Sequence, residues 1–340
     1  KKEFNINKMK APTNIEQHPL NFSPSPNQKF VKNFLSPYTP YNGLLLYHDV
    51  GVGKTCAALG IAENFRDIVH SSGKKIFILT PSDTLIENWK NELFNIKKHI
   101  ISVQQKNINN VQCTGNTYTK EVNNMDINEP EKIKNKIRKI INKYYSFMGY
   151  QKFSGRLNKN ISRYIRGKLY VEKAKIEFIK NEFSNCIFVM DEVHFTRESS
   201  NPSEDKASRP LIEMIARYAT NTKFILCTAT PMYNIPTEIV WLLNILLLND
   251  RRSPINIEDV FQERNGELEL KQVYAPNPSP IDILLNKSRG YISYVRASNP
   301  YLYPIKKYFG EDNNSKWITD GSTKKERIFK FKNFPTVASY

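Results

Sequence analysis

Apolar positions along the chain follow two repeating patterns. Four short apolar runs are bounded by polar or Gly/Pro residues, as strands buried on both faces are: GLLLYH (43–48), KIFILT (75–80), CIFVMD (186–191) and FILCT (224–228). Stretches with helical spacing follow these runs, at 54–66, 82–95, 209–220 and 236–248. The alternation of strand and helix predicts an α/β fold with a parallel sheet flanked by helices.

Other regions depart from this alternation. Residues 27–35 have helical spacing, and residues 100–185 predict a mostly helical insertion. Residues 251–285 are polar and loop-like, whereas GYISYVR (290–296) is strand-like. We therefore expect three segments: an N-terminal arm (1–25), a lobe that contains the insertion (26–250), and a linker with the start of a crossover to a second lobe (251–340).

Positive charge is concentrated inside the predicted insertion. The 340-residue chain has a net charge of +17, and residues 131–180 contain 15 Lys/Arg against 3 Glu, a net +12. Such a block favours nucleic acid as partner, with a solvated helix face as the alternative. The cations expected at phosphates are Lys136, Arg138, Lys139 and Lys143. Aromatic residues alternate with the cations, and we expect most of them in the core rather than stacked on bases.

Composition also argues against several classes of protein. The longest apolar run, 240–248, is too short to cross a bilayer, so we expect a soluble protein without a membrane partner. No C-x-x-C spacing is present, which argues against a zinc site. We expect a reducing compartment, and we expect three of the four cysteines, those in or beside predicted elements, to fill space. These cysteines are Cys56, Cys113, Cys186 and Cys227. His18, His70 and His99 stand among polar residues and are expected at the surface.

The stretch YHDVGVGKT (47–55) has the context of a phosphate-binding loop, since it follows a strand and opens a helix. Gly51 and Gly53 would let backbone N–H groups approach phosphate oxygens, helped by the helix dipole. Lys54 would reach the β- and γ-phosphates, and Thr55 would bind Mg²⁺. His48 stands where the strict pattern has its first glycine. The alternative is a glycine-rich turn without a ligand.

An acidic pair follows the third apolar run, in CIFVMDEVH (186–194). Asp191 would hold Mg²⁺ through its water shell, and Glu192 would position the attacking water as a base. The alternative is a solvated helix cap. The fourth run ends in Thr228-Ala229-Thr230, whose hydroxyls could sense the γ-phosphate and contact His194; the alternative is an ordinary turn.

The ordered set DEVH and TAT resembles superfamily 2 helicases and translocases. GVGKT resembles their motif I, DEVH motif II, and TAT motif III. LTPSDTLIENW (79–89) resembles motif Ia, which implies that Thr80 and Pro81 lie near the nucleic-acid backbone. Gln28 stands where the family places an adenine-reading glutamine. The nucleotide-binding set implied is Gln28, Gly51, Val52, Gly53, Lys54, Thr55 and Cys56.

Over residues 25–300 the layout is most similar to helicase-like ATPases of nucleocytoplasmic large DNA viruses. That branch includes the small subunit of poxvirus early transcription factor and nucleoside triphosphate phosphohydrolase I. YNGLLLYHDVGVGKT, YYSFMGYQKF and GYISYVRASNPYLYP carry this likeness. It implies a RecA-like lobe that uses ATP and Mg²⁺ on DNA, with RNA as the alternative. It further implies viral transcription in the host cytoplasm and a place in the virion, with a transcription-factor subunit and viral RNA polymerase as partners.

The resemblance also implies a second RecA-like lobe that supplies arginines to the γ-phosphate. We find no such segment here and expect it in a longer protein. Two other functions stay open. One is a non-hydrolysing promoter-binding subunit that uses nucleotide as a switch. The other is the ATPase subunit of a restriction or repair complex.

Overall fold

The computed structural model describes most of the chain between residues 23 and 296. The described ranges are 23–105, 112–196, 208–232, 235–264, 266–271 and 278–296, together with two short strands beyond them. Most of the predicted arm (1–25) and most of the chain after residue 296, where the crossover is expected, lie outside the described residues. Among the described residues, no helix has the length and apolarity needed to cross a bilayer.

A central sheet organises the described elements. The strands are β1 (Gly43–His48), β2 (Ile76–Thr80), β3 (Tyr145–Gly149), β4 (Ile187–Met190), β5 (Lys223–Thr228), β6 (Phe261–Arg264), β7 (Glu267–Leu270) and β8 (Ile292–Val295). The helices are α1 (Pro26–Phe34), α2 (Lys54–Ser71), α3 (Asp83–Leu93), α4 (Ile96–Gln104), α5 (Pro130–Tyr144), α6 (Tyr150–Ile165), α7 (Val171–Phe183), α8 (Ser208–Tyr218), α9 (Glu238–Asn249), α10 (Ile257–Val260) and α11 (Pro280–Ser288).

Six strands form one parallel sheet in the order β3-β2-β4-β5-β1-β8. The predicted α/β fold is therefore confirmed, and it has the architecture of a RecA-like lobe. All four apolar runs are strands of this sheet, and β6 and β7 form a separate antiparallel pair.

The sheet is buried on both faces because its strands carry apolar residues at successive positions. In β1, Leu45 packs into one core layer and its neighbours Leu44 and Leu46 pack into the other. Helices α1, α2, α3 and α5 bury residues in the layer of Leu44, whereas α6, α7, α8 and α9 cover the opposite face. Helix α9 is buried along nearly its whole length, which explains why the apolar run 240–248 does not alternate with polar residues.

The basic insertion is helical as predicted, and α5 shows why. Ile133, Ile137 and Ile141 recur every four residues and are buried, while the lysines between them are exposed. The insertion also contains a strand that the apolar pattern does not predict. Its residues 145–149 pair with β2, Ile76 opposite Tyr145, and so form one edge of the sheet.

The region after residue 250 differs from the prediction. Residues 251–285 are not simply a loop, because they contain α10, the β6–β7 pair and the start of α11. Strand β8, predicted as strand-like, pairs with β1 at the other edge of the sheet, with Ile292 opposite Leu45. The predicted boundary at residue 250 therefore assigns one strand of this sheet to the linker. Beyond residue 296, β9 (Ile318–Thr319) pairs antiparallel with β10 (Glu326–Arg327).

Two expectations about single residues were wrong. His99 is not at the surface: it is fully buried on α4 beside Phe94, and among the described residues neither ring nitrogen has a hydrogen-bond partner. Cys56 does not simply fill space, because a disulfide joins it to Cys113. The other two cysteines are buried thiols, as expected.

Candidate functional site

The phosphate-binding loop, the acidic pair and the Thr228 turn meet at the end of the sheet where the strands' carboxyl ends lie. Strands β1, β4 and β5 are neighbours and parallel, so the loops that follow them emerge together at their carboxyl ends. This edge is where ligands bind in open α/β sheets. A cavity of about 380 Å³ lies there. Its lining residues are Asp49, Val50, Gly51, Lys54, Thr55, Leu85, Asn88, Trp89, Asn91, Glu92, Asp191 and Glu192.

The loop between β1 and α2 has the backbone that a phosphate-binding loop requires. Gly51 and Gly53 have φ values of 83° and 81°, backbone angles that residues with a Cβ rarely adopt. Gly53 caps α2, so Lys54 and Thr55 open the helix at its positive dipole end. Val52 lies between the glycines and is half-buried.

Gln28, where the resemblance predicts an adenine-reading glutamine, contacts this loop from α1. Its Nε2 donates to the carbonyl oxygen of Gly53 at 3.0 Å. Its Oε1 accepts from the backbone N–H of Ser25 at 2.8 Å and completes a capping box for α1. A Cβ at position 53 would meet the Gln28 amide and force that flexible side chain to move, so the positive φ is the main reason for glycine there. The Gln28 side chain therefore links the start of α1 to the loop.

Lys54 and Glu192 form an ion pair inside the cavity. Lys54 Nζ lies 3.0 Å from Glu192 Oε1, and both side chains are largely shielded from solvent. Glu192 adopts a left-handed backbone, with φ of 45°, directly after β4. This conformation is costly for a residue with a Cβ, and strained backbones of this kind cluster at functional sites. The pair places one cation and one carboxylate where a nucleotide's phosphates would lie.

Asp191 is 6% exposed and is held on several sides. The indole N–H of Trp89 donates to its Oδ2 at 2.8 Å, and the backbone N–H of Glu192 donates to its Oδ1 at 3.1 Å. The hydroxyl of Tyr150 donates to the Asp191 carbonyl at 2.8 Å. Burial raises the pKa of the carboxyl group, and the Trp89 hydrogen bond opposes that rise.

A second polar group connects motif II to motif III. His194 Nδ1 lies 2.9 Å from the Thr228 hydroxyl, 3.5 Å from the Thr230 hydroxyl and 3.3 Å from Glu192 Oε2. The backbone N–H of Thr230 donates to Thr228 Oγ1 at 3.0 Å. The contact predicted between His194 and the two threonines is therefore present. Ala229 lies between them and is half-buried.

His48 tethers the loop to the edge strand. Its Nε2 lies 3.0 Å from the hydroxyl of Ser293 on β8, and its side chain is almost fully buried. Burial, helped by the charge of Lys54, lowers the pKa of His48 to about 4. The ring is thus neutral near pH 7 and packs at the start of the turn.

The donor set of the cavity fits Mg²⁺. Thr55 offers a hydroxyl and Asp191 a carboxylate, and both line the same space. Hard divalent cations prefer oxygen ligands of this kind and keep several of their own waters. Both Asp191 oxygens already accept N–H groups, which suits contact through such waters.

The residues predicted to contact nucleic acid differ in exposure: one residue at the end of β2 is buried, and the cations of α5 are exposed. Thr80 is fully buried, and its hydroxyl donates to the carbonyl of Ser82 at 2.9 Å, so it stabilises the turn instead of facing a ligand. Pro81 beside it is half-buried. The four cations of α5 are exposed and do not line the cavity: Lys136, Arg138, Lys139 and Lys143.

Sequence reasoning missed several side chains that shape the site. Trp89 stands inside the motif Ia resemblance, but nothing in the stretch shows that its indole contacts Asp191. Tyr150 is one of the insertion aromatics that the sequence predicts in the core; it is buried, and its hydroxyl also donates to the Asp191 carbonyl. Cys56 was grouped with the nucleotide-binding residues, but its sulfur is bonded to Cys113 and does not line the cavity. All three contacts are made between residues far apart in the sequence.

Comparison with known proteins agrees with this geometry. Residues 22–233, more than half of the chain, match the family described as type III restriction enzyme, res subunit. A candidate ATP-dependent RNA helicase of Acanthamoeba polyphaga mimivirus is 30% identical over 312 residues, 86% of this chain and 24% of that protein. A candidate helicase of Invertebrate iridescent virus 3 is 28% identical over 279 residues, 80% of this chain and 23% of that protein.

A candidate helicase of Frog virus 3 is 30% identical over 275 residues, 81% of this chain and 24% of that protein. The chain spans about a quarter of the length of these relatives. The matched residues include the loop, the acidic pair and the Thr228 turn. The chain therefore belongs to the family described as type III restriction enzyme, res subunit, within the superfamily 2 helicases.

Proposed function

We propose that this chain is the ATP-binding lobe of a helicase or translocase that hydrolyses ATP on nucleic acid. One observation carries the proposal. Lys54, Thr55, Asp191 and Glu192 come from two separate loops and line one cavity at the carboxyl edge of a parallel sheet. That combination of a phosphate-binding cation, a hydroxyl and two carboxylates is the set that phosphoryl transfer needs.

The proposed chemistry follows from these side chains. Backbone N–H groups of the loop and the start of α2 bind the phosphates, and Lys54 leaves Glu192 to contact the γ-phosphate. Glu192, released from this ion pair, orients a water molecule and accepts its proton. Asp191 and Thr55 would hold Mg²⁺, which would supply positive charge against the phosphates.

The contact between Glu192, His194 and Thr228 is the proposed route of coupling. A change in the position of Glu192 at the γ-phosphate alters its 3.3 Å contact with His194 Nδ1. The same ring atom contacts the hydroxyl at the end of β5. Through this contact, we expect a shift at Thr228, Ala229 and Thr230 to change how tightly the lobe binds nucleic acid. The adenine-reading role of Gln28 is part of the same proposal.

The proposed substrate, along which the protein would move, is nucleic acid, with DNA preferred. The exposed cations of α5 would contact phosphates together with the turn around Pro81. The stretch TATPMYNIPTEIVWLLNILL (228–247) resembles the corresponding stretch of Swi/Snf-type remodelling ATPases, and this resemblance supports tracking along duplex DNA. RNA is the alternative, because the mimivirus relative is named an ATP-dependent RNA helicase.

The wider role is proposed from the resemblance. We place residues 26–250 in lobe 1 and residues 251–340 in the linker and the start of a crossover to a second lobe of the same longer protein; strand β8, within the second segment, completes the sheet of lobe 1. The specific branch proposed is that of poxvirus early transcription factor and nucleoside triphosphate phosphohydrolase I. The proposed role of the longer protein is in viral transcription, in the host cytoplasm and the virion, with a transcription-factor subunit and RNA polymerase as partners. Relatives from large DNA viruses support this assignment.

Two alternatives differ from this proposal in testable ways. A switch-like promoter-binding subunit would bind ATP without hydrolysing it, and the intact Lys54, Asp191 and Glu192 argue against it. A restriction or repair ATPase would fit the family's description as a res subunit. The names of the viral relatives favour the helicase.

Nucleotide binding tests the proposal at its first step. Titration of the chain with a fluorescent ATP analogue and Mg²⁺ should saturate at one site. Lys54→Ala should lower the affinity by at least about 10-fold, whereas the exposed Lys97→Ala should leave it unchanged. Equal affinity of the two variants would contradict the assignment of the cavity.

A further inference from the structure

Cys56 and Cys113 connect two segments beside the nucleotide cavity. Cys56 lies in the first turn of α2, directly after Thr55, and Cys113 lies in the segment after α4. A disulfide joins them across 57 residues, with their Cα atoms 5.3 Å apart. That separation lies within the range of about 4.4–6.8 Å in which disulfides form without backbone movement.

The carboxylate of Glu92 lies against both sulfurs. Its Oε2 is 3.0 Å from Cys113 Sγ and 3.6 Å from Cys56 Sγ, and the residue also lines the nucleotide cavity. Two thiols at these distances can donate S–H hydrogen bonds to Glu92. A disulfide carries no S–H group, so its formation removes both donors. The redox state of the pair therefore decides whether this cavity carboxylate accepts hydrogen bonds from the two sulfurs.

The pair is reachable from solvent, unlike the other cysteines. Both residues are half-buried, and Cys113 lines a second cavity of about 300 Å³. Cys186 and Cys227 are buried in the core. Burial raises the pKa of the Cys186 thiol to about 12 and that of Cys227 well above its usual value, so these thiols do not form the reactive thiolate. Oxidation is thereby confined to Cys56 and Cys113.

We propose that Cys56 and Cys113 are a reversible redox modification site that weakens ATP binding when oxidised. This inference rests on the proposed function, because it takes the cavity to be the ATP site. In the oxidised form Glu92 has lost two hydrogen-bond donors and faces the cavity, where it repels the nucleotide's phosphates. In the reduced form the thiols satisfy Glu92, and the first turn of α2 is free of the covalent tether.

The oxidant is a low-molecular-weight disulfide such as oxidised glutathione. One thiolate of the pair attacks a sulfur of that disulfide, and one glutathione thiolate leaves. The second thiolate attacks the mixed disulfide, the Cys56–Cys113 bond forms, and the second glutathione leaves. Two electrons and two protons pass from the pair to the oxidant, which becomes two molecules of reduced glutathione.

The test uses the whole chain equilibrated in buffers of reduced and oxidised glutathione. Alkylation and mass spectrometry identify the free thiols, and a fluorescent ATP analogue reports affinity in the same samples. We expect Cys56 and Cys113 to lose reactivity together as the buffer becomes oxidising, with a rise in Kd of about 3- to 10-fold. Cys113→Ser keeps an O–H donor for Glu92 but cannot form the bridge, so its affinity should equal that of the reduced protein in every buffer. Cys186→Ala is the matched control and should keep the response.

Each contrary outcome is distinct. A pair that stays reduced throughout would overturn the proposal, and so would a bridge that forms without changing affinity. Zinc retained by the reduced pair and Glu92 in metal analysis would replace the redox role with a metal site. If neither form binds nucleotide, the proposed function fails and the coupling with it, while the alkylation pattern still reports whether the bridge forms.

Discussion

Trp89 donates its indole N–H to Asp191 Oδ2 at 2.8 Å, and this contact joins the helix after β2 to the acidic pair after β4. Since the hydrogen bond fixes one carboxylate oxygen, it orients the other face of Asp191 toward the cavity. Partners that orient a metal-holding group typically contribute 10- to 100-fold to metal affinity or activity. We therefore expect Trp89→Phe to lower ATP turnover by about 10-fold and to raise the Mg²⁺ concentration needed for half-maximal turnover.

The chain provides a matched control for this variant. Trp241 is also buried, but its indole N–H has no hydrogen-bond partner among the residues that the structure describes. Trp241→Phe removes the same N–H group and should leave turnover and the Mg²⁺ requirement unchanged. Similar losses in the two variants would show that a smaller buried ring, and not the Asp191 contact, causes the effect.

We expect Gln28 to contribute to nucleotide binding through its hydrogen bond to the Gly53 carbonyl. Gln28→Glu keeps the oxygen that completes the capping box of α1 but loses the N–H donor to Gly53. We expect its KM for ATP to rise by about 2- to 10-fold, the value of one hydrogen bond, with little change in Tm. Gln28→Ala also loses the cap and should lower Tm as well. A normal KM for Gln28→Glu would show that the contact does not position the loop.

His48 makes stability depend on pH in mildly acidic solution. Its pKa is lowered to about 4 in the folded chain, against about 6.5 in the unfolded chain, so the unfolded chain binds the proton more readily. The free energy of unfolding should therefore rise with pH through this window, and the stabilisation is lost as pH falls from 6.5 toward 4. The contribution is at most about 3 kcal/mol.

The His48→Gln variant isolates this effect, because it keeps a polar group near Ser293 but does not titrate. Urea unfolding at pH 4.5 and pH 7.5 should show a smaller difference in the variant than in the wild type. An unchanged difference would mean that other groups set the acid sensitivity.

The lysines of α5 should contribute to nucleic-acid binding without sequence preference. Replacing Lys136, Lys139 and Lys143 with Gln should make the slope of log K against log salt concentration shallower by about 2–3. Each phosphate contact on duplex DNA contributes about 0.9 to this slope. The control changes three exposed lysines elsewhere, Lys97, Lys98 and Lys120. Fluorescence anisotropy with labelled DNA and RNA over a range of salt gives both slopes. Equal slopes for the two triple variants would contradict a specific role for α5.

Local patterns predicted the parts of the fold that depend on local chemistry. Strands β1, β2, β4 and β5 could be recognised because each is an apolar run between polar residues, and their ends agree with the prediction to within one or two residues. Strand β3 was missed because YSFMG follows a basic helix without a turn signal. It is a strand only because β2 offers a free edge for pairing.

The same limit applies to the site. Gly51, Lys54, Asp191 and Glu192 belong to short motifs whose spacing carries their chemistry, so each could be proposed from sequence. The Trp89–Asp191 hydrogen bond and the Cys56–Cys113 bridge join positions that are 102 and 57 residues apart. No local pattern encodes such contacts, since they exist only after the sheet has brought its strands together.

ATP hydrolysis by the longest natural form of the protein tests the central claim most directly. Phosphate release is measured without polymer and with duplex DNA, single-stranded DNA or RNA, for the wild type and for Glu192→Gln. The account predicts turnover that one polymer stimulates, with duplex DNA giving the largest effect. Glu192→Gln should lose at least about 100-fold in rate while still binding ATP. ATP binding without hydrolysis under every condition, or equal rates for the wild type and Glu192→Gln, would contradict it.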